Sequence, residues 1–562
     1  MSRPGSDVQS LDTPLDPELL RAVPLQVCLQ GRGKHWKRSV ISSTNGASAS
    51  GTNSFGLSRR TEQIDYFFSH DWETSRFLKW LTLLVMFNSH AAAISMLIVT
   101  GLISMCAAVG GEGVPQWLLP CLPLFPMLTY VVILIFWQKI RSRWKEPMVF
   151  LDRLCIAQHD MALKEQGIRG LGCFLSKSRN LTILWSGRYF SRLWCLYELA
   201  SYLKDENVRA QQRNLQILPV HLCLLLIITS VQSLLWIVFL MISLTTGVHP
   251  SSHSIFFNLF GRGGAASIPI ALYVGLGCMT KLYQLPQQLL HFQVQEAECF
   301  CCSNNHKHPE TGKELPCDRK LVFSALQKWF GDVNDVSAET WMHRFNMMVR
   351  KTLSHRIALT VGRGLPPFSY VLSTVCVAPF PFLCFFLPLA FRNVEDDDDD
   401  DDDWNRKEDQ GPEWMERMLE LLAPSLYGVC FLLLVIQVCR LLFYLCQRWK
   451  LSPSILLSPS RRAVVTLLAS PIVWVILVYG LWVPVIGQYS QDLELTSYWK
   501  LICYLLLWGV VAAHFLMPII GGQNDEGAMN FREVVPELLE EAAEGDFYIK
   551  KDLEEEMVSV FF

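Results

Sequence analysis

Between positions 299 and 317 the sequence crowds Cys299, Cys301, Cys302, His306, His308 and Cys317 into one polar stretch. Thiolate and imidazole are the donors that tetrahedral Zn²⁺ favours, and a reducing compartment leaves both free to bind it. Cys299, Cys302, His306 or His308, and Cys317 form one ligand set for a structural zinc, although the spacing is not that of a standard finger. Two other fates stay open. The thiols at 299, 301 and 302 follow an apolar run closely enough to be acylated, or all of them are buried and free. A second chemical run, Asp396 to Asp403, offers oxygen ligands for Ca²⁺ but lacks the glycine turn and ordered spacing of an EF-hand. A solvated, self-repelling loop is its simpler reading.

These residues sit in a chain of unusual composition. Of 562 residues, 51% are hydrophobic and 18% charged, with mean hydropathy +0.25; soluble domains carry roughly 25% charged residues. A net charge of -3 removes the case for nucleic-acid binding. Apolar windows of spanning length fall near residues 81–108, 117–138, 221–246, 265–283, 367–391, 421–446, 464–487 and 499–521. The expected fold is an α-helical multi-span membrane protein of about eight spans, with the lipid bilayer as partner. Lys139, Arg141, Arg143, Lys145, Arg448, Lys450, Arg461 and Arg462 mark cytosolic connections. Both termini are then cytosolic and the acidic loop 392–420 lies outside. Eighteen cysteines in apolar or cytosolic segments predict no disulfides. Few ionisable residues lie within the windows, chiefly His90, Arg440 and His514, so a channel or transporter is the third reading.

Outside the windows the chain divides further. Residues 1–60 read as a disordered tail, 284–366 as a cytosolic segment carrying the Cys/His cluster, and 522–562 as an acidic tail with an amphipathic, partner-binding stretch at 534–543. Short apolar, aromatic runs at Ile64–His70, Met148–Asp152, Leu181–Trp185 and Gln216–Val220 alternate with helical patterns at 168–177 and 192–204. That alternation predicts a four-stranded parallel sheet built from 61–75 and 146–220, split by a transmembrane hairpin at 81–138, with spans at 221–283 and 367–521 following. Ser69, His70 and Asp71 end the first strand, where open α/β sheets bind ligands.

The runs Asp65-Tyr-Phe-Phe-Ser-His70, Val149-Phe-Leu-Asp152, Ser178 to Ser186 and Tyr189-Phe-Ser-Arg-Leu-Trp-Cys-Leu-Tyr-Glu198-Leu199 together resemble the Toll/interleukin-1 receptor (TIR) domain. The last block, with its Trp-Cys and Glu-Leu at fixed spacing, is the specific one. The whole layout resembles multi-span membrane TIR-like proteins of dinoflagellate-type protists, which carries architecture and no activity. The resemblance implies a strand order of second, first, third, fourth. It also implies one of two roles: a signalling scaffold that recruits other TIR-like domains or a second copy of itself, or an NAD glycohydrolase. In the second role Glu198 is the catalytic carboxylate, stabilising an oxocarbenium-like state or orienting a ribose hydroxyl. Trp194, one helical turn earlier, then stacks on the nicotinamide or adenine, and Ser69, His70 and Asp71 complete the NAD pocket. The plain alternative pairs Glu198 with Arg188 or Arg192 and makes Trp194 a core residue. The sequence departs from the family in having two apolar spans where the first crossover helix belongs, and in entering an apolar span after Val220.

Overall fold

The computed structural model describes residues 15–37, 54–109, 121–144, 146–204, 215–245, 264–307, 312–332, 338–360, 368–377 and 458–471, with a few isolated positions. In chain order the first elements are β1 (Arg21–Pro24), α1 (Leu25–Leu29), β2 (Arg59–Arg60) and β3 (Ile64–His70). A long crossover follows, α2 (Arg76–Val109) and α3 (Leu124–Arg141). Then come β4 (Met148–Phe150), α4 (Asp152–Cys155), α5 (Met161–Arg169), α6 (Leu171–Ser176), β5 (Ser178–Trp185), α7 (Leu193–Leu203) and β6 (Leu215–Pro219). The remaining helices are α8 (Cys223–Thr245), α9 (Gly264–Leu290), α10 (Phe300–Ser303), α11 (Asp318–Phe330), α12 (Ala338–Thr360) and α13 (Phe368–Val377).

Two expectations are corrected. The four-stranded parallel sheet is a mixed six-stranded one in the order β2-β1-β4-β3-β5-β6. Its extra strands come from the segment expected to be a disordered tail: β1 runs antiparallel to β4, with Val23 opposite Val149, and β2 is antiparallel to β1. Strands of four and two residues are too short to show a hydrophobic period, which is why composition alone misread them. Gly33, in the left-handed region at φ 74, lets this N-terminal segment turn against α2, where an added Cβ would meet Trp80 and a backbone oxygen of Arg76.

The second correction concerns the spans. Among the described residues two helices, not eight, are long and apolar enough to cross a bilayer: Arg76–Cys106 and Leu124–Arg141. Shorter apolar stretches occupy Val220–Leu235 and Ile268–Leu282. The windows at 421–446 and 499–521, the loop 392–420 and the tail 522–562 lie outside the described residues, and those at 367–391 and 464–487 lie largely outside. Apolar composition alone overcounted: the windows at 221–246 and 265–283 fall on those shorter stretches, while the first turns of α2, itself one of the two, also belong to the α/β core. Lys79, Leu83, Leu84 and Val85 are buried there, and Phe87 packs edge-on to Tyr66 of β3 at 4.9 Å between ring centroids.

Asp65 ties the central strands together. Its carboxylate accepts the backbone N–H of Met148 at 2.8 Å, and its carbonyl accepts the Asn180 side-chain amide at 2.8 Å. Alternation along β3 then sets what each face meets. Phe67 stacks on Phe150, which leans on Phe174 of α6. Tyr66, Phe68 and His70 point the other way, toward α2 and Trp36.

Beyond the core the helices carry a partly reversed polarity, with apolar side chains outward and polar ones buried beside apolar residues such as Met96, Met127 and Leu134. In α3, Phe125, Leu128, Val132, Ile135, Phe136 and Ile140 are exposed while Tyr130 and Gln138 are buried. In α2, Ile94 is 60% and Ile98 58% exposed, while Asn88 and Ser89 are fully buried. Gln138 Nε2 donates to Asn88 Oδ1 at 2.6 Å, and Asn88 Nδ2 donates to the Leu134 carbonyl at 2.7 Å. This clamp is the main polar bond between α2 and α3 that can be read from the structure. Interhelical bonds of this kind contribute about 1 kcal/mol in apolar surroundings. Asn88→Leu should therefore lower the unfolding midpoint in detergent by an amount corresponding to about 1–2 kcal/mol, because Gln138 loses its acceptor. The Asn88→Leu/Gln138→Leu pair should recover part of the loss. An unchanged midpoint in the single variant would remove the clamp from the account of hairpin stability.

Candidate functional site

The carboxyl ends of β3 and β5 and the amino-terminal half of α7 enclose a polar cluster. Ser69 Oγ donates to Glu198 Oε2 at 2.5 Å, and the Tyr189 hydroxyl meets Ser69 Oγ at 2.7 Å. A chain from Tyr189 through Ser69 to Glu198 thus crosses from the loop after β5 to α7. Burial pushes the Glu198 carboxyl up to about 8, Asp152 adds to the shift by its charge, and the Ser69 bond opposes it. Asp152 is also raised by burial, against the opposing hydrogen bonds from the Arg153 N–H and Trp72 Nε1. The Tyr189 hydroxyl and Cys195 thiol are both pushed up by burial. Near neutrality this is a cluster of mostly uncharged acids, a condition typical of sites that move protons but also of satisfied cores.

The residues expected to line one pocket are divided by the sheet. Ser69 faces α7, whereas the His70 ring, one residue on, turns to the opposite face between Trp36 at 4.9 Å and Trp72 at 4.6 Å. Burial and the nearby Lys79 hold His70 well below its usual range, and its Nε2 has no hydrogen-bond partner among the described residues. Asp71 is buried, and Lys79 Nζ donates to its carbonyl at 2.6 Å. Strand alternation alone could have announced this division. Trp194 turns away from the cluster as well: its Nε1 donates to Asp318 at 3.3 Å, and its ring lies edge-on to Tyr197. Arg188 and Arg192 do not pair with Glu198. Arg188 bonds Glu73 and, at 3.0 Å, Glu298; Arg192 lies 3.7 Å from Asp71 and 3.6 Å from Glu298. Tyr189 and Cys195 join the cluster without having been singled out as site residues, although both lie inside the quoted Trp-Cys block.

A second cluster forms where α10 meets α11. The ligand atoms of Cys301, Cys302, His306 and Cys317 all lie within 4.8 Å of one another, so this group can hold a metal ion. Cys299, Cys301 and Asp318 form an overlapping group. Of the expected set, Cys302, His306 and Cys317 come together, Cys299 joins only the second group, and His308 lies outside the described residues. Cys301 is the added member. Asn305 and His306 take left-handed backbone at φ 51 and 56, folding the chain back so that the His306 N–H reaches the Cys301 carbonyl at 2.7 Å. Cys317 is delivered at the amino cap of α11. Cys299 and Cys301 meet at 3.0 Å between sulfurs. Burial acts to raise both thiols, but hydrogen bonds from Cys301 and from the Cys302 N–H leave Cys299 below its usual range while Cys301 stays above it.

The raised Glu198 acid makes a pH prediction. An acid whose folded pKa exceeds its unfolded value favours the fold fully below the unfolded value, roughly 4.3, and that contribution is lost as pH rises through the folded value of about 8. Thermal unfolding scans should show wild type and Glu198→Gln converging near pH 5, with the Gln variant the more stable at pH 8.5 by an amount on the order of 1–4 kcal/mol. Parallel curves across that window would mean that Glu198 is ionised in the fold.

Comparison with protein-family models, with curated proteins and with solved structures finds no match to this chain.

Proposed function

We propose that the chain is a membrane-anchored signalling or scaffold protein whose TIR-like α/β unit works at the bilayer surface by docking on other TIR-like domains or a second copy of itself. The partly reversed polarity of the helices carries this reading. Beyond α2 and α3, Val231, Leu234, Leu235 and Val238 of α8 are exposed while Gln232 and Ser233 are buried, and in residues 459–471 Val464, Leu467 and Leu468 are exposed while Thr466 and Ser470 are buried. A helix surrounded by water has its apolar stripe inward; one surrounded by lipid tails keeps polar side chains against its neighbours. Bilayer association through these faces accounts for all four helices with one solvent.

The scaffold role is favoured over catalysis by occupancy of the sheet's carboxyl end. Ser69 and Glu198 bond each other, Trp194 is held by Asp318, and Trp36 packs over His70. A docking point is available at the amino end of α5, where its first residue, Met161, is 77% exposed. The NAD glycohydrolase reading keeps one specific observation, a buried carboxyl raised to about 8 at the ligand end of an α/β sheet. In either reading the cysteine cluster takes Zn²⁺ as a structural ion, since three thiolates and an imidazole suit it better than any hard cation.

Purified full chain in detergent should self-associate with concentration, and Met161→Asp should weaken that association by about tenfold, or about 1.4 kcal/mol. Sedimentation reads the change. Monomer at all concentrations, with no recruitment of other TIR-like domains, would overturn the scaffold reading. Nicotinamide release from NAD by the wild type, lost in Glu198→Ala, would put the hydrolase in its place.

A further inference from the structure

The cysteine cluster lies between two points of attachment to α7. On one side Glu298 joins the start of that helix through its backbone: the Glu298 N–H donates to the Ser191 carbonyl at 2.5 Å, and the Leu193 N–H donates to the Glu298 carbonyl at 3.2 Å. Its side chain adds the ion pairs to Arg188 and Arg192. On the other side Asp318 accepts from Trp194 at 3.3 Å. Farther along α11, Trp329 packs on Tyr197 at 5.5 Å and takes the Lys204 ammonium over its ring at 4.3 Å. The chain from Glu298 to Trp329 therefore covers one side of the helix that also carries Glu198. Between the attachments, the described residues of 299–317 have little regular structure beyond the short helix α10.

The cluster closes this excursion on itself. A tetrahedral ion with Zn–S bonds of roughly 2.3 Å sets sulfur–sulfur edges of about 3.8 Å, and Cys302 and Cys317 stand 3.8 Å apart. The Cys299–Cys301 separation of 3.0 Å is shorter than such an edge, so the two are not both ligands in this geometry, and Cys301 is the one grouped with Cys302, His306 and Cys317. The Asp318 N–H points at Cys301 Sγ at 3.3 Å, the bond a metal-bound thiolate accepts. His306 is exposed, leaving one side open to exchange with solvent.

We infer that Zn²⁺ held by Cys301, Cys302, His306 and Cys317 latches residues 298–331 onto α7, so that metal occupancy governs how far Trp194 and the first turns of that helix are covered. This rests on the zinc reading given above and adds a consequence to it. Binding an ion only when the four donors converge makes the binding free energy a folding free energy for the segment. The two anchors at Glu298 and Asp318 are then held in register by the loop between them. Without the ion, the exposed ion pairs of Glu298 contribute little on their own.

The test uses the full chain in detergent. Elemental analysis should give one zinc per chain, and Co²⁺ exchanged for it should show the visible bands of a tetrahedral thiolate site. His306→Cys should keep a bound ion with shifted bands, whereas Cys302→Ser and Cys317→Ser should lose it. Hydrogen exchange should then be followed with and without a chelator. Removing the metal should speed exchange in residues 193–203 by about tenfold or more and leave residues 178–185 of β5 unchanged. Absence of a stoichiometric ion after reconstitution overturns the zinc reading and the latch together; acylated thiols found by mass spectrometry would explain it. An ion that can be removed with no change in α7 exchange overturns the latch and leaves the zinc standing.

Discussion

The connection from β3 to its parallel neighbour β4 constrains everything else in the structure. Parallel strands need a crossover of a dozen residues or more, usually one helix, and here it is made by two helices that leave the core and return. The first turns of α2 do what a crossover helix does, burying Lys79, Leu83 and Val85 against the sheet. The rest of the helix continues into surroundings where isoleucine is outside and asparagine inside. A helix of 34 residues is about 51 Å long, enough to cover the sheet and cross roughly 30 Å of hydrocarbon besides. The α/β unit is therefore not tethered by a flexible linker. In the proposed membrane-bound state the helix that enters the bilayer is the same one that packs in the α/β core.

That constraint places demands on the N-terminal segment and on α7. With β4 a strand of three residues reached from the hairpin, its free edge would expose unpaired backbone; β1 and β2 cover it, and the chain between them carries Trp36 to His70. On the other face α7 is a middle layer, with the sheet on one side and residues 292–331 on the other. Leu196, Tyr197, Leu199 and Ala200 are all fully buried. A helix so enclosed contributes to stability through packing, and its one carboxylate, Glu198, tolerates burial because Ser69 donates to it and protonation removes its charge.

Much of this was legible in the residues, and the limits have physical reasons. The strands β3, β4, β5 and β6 announce themselves as apolar, aromatic runs, and the cysteine cluster by ligand density. Apolar windows overcount the spans because the same composition occurs in apolar helices shorter than a bilayer needs, as at Val220–Leu235 and Ile268–Leu282. The pocket was drawn as one site because Ser69, His70 and Asp71 are adjacent in sequence, while adjacent positions on a strand face opposite ways. Trp194 could not be placed, because its partner Asp318 is distant in sequence and belongs to a segment with no visible link to the α/β unit. Ligand density alone does not choose between Cys299 and Cys301; the fold does, by grouping Cys301 with Cys302, His306 and Cys317.

The two clusters meet through α7, and this is what joins the molecule's chemistry to its architecture. Arg188 and Arg192 bridge the loop after β3, through Glu73 and Asp71, to Glu298 at the edge of the cysteine segment. Exposed pairs of this kind contribute little singly, yet Arg192 with the buried Asp71 is partly shielded from solvent and fixes the turn that carries Ser69 toward Glu198. Residues 298–331 thus fasten to the amino end of α7, whereas the Ser69–Glu198 bond fastens the same helix to β3. Glu198, one turn farther along that helix than Trp194, is bonded across to β3 through Ser69. The outer face of α7 is thus joined to the cysteine segment through Trp194 and Asp318, and its inner face to the sheet through Glu198 and Ser69.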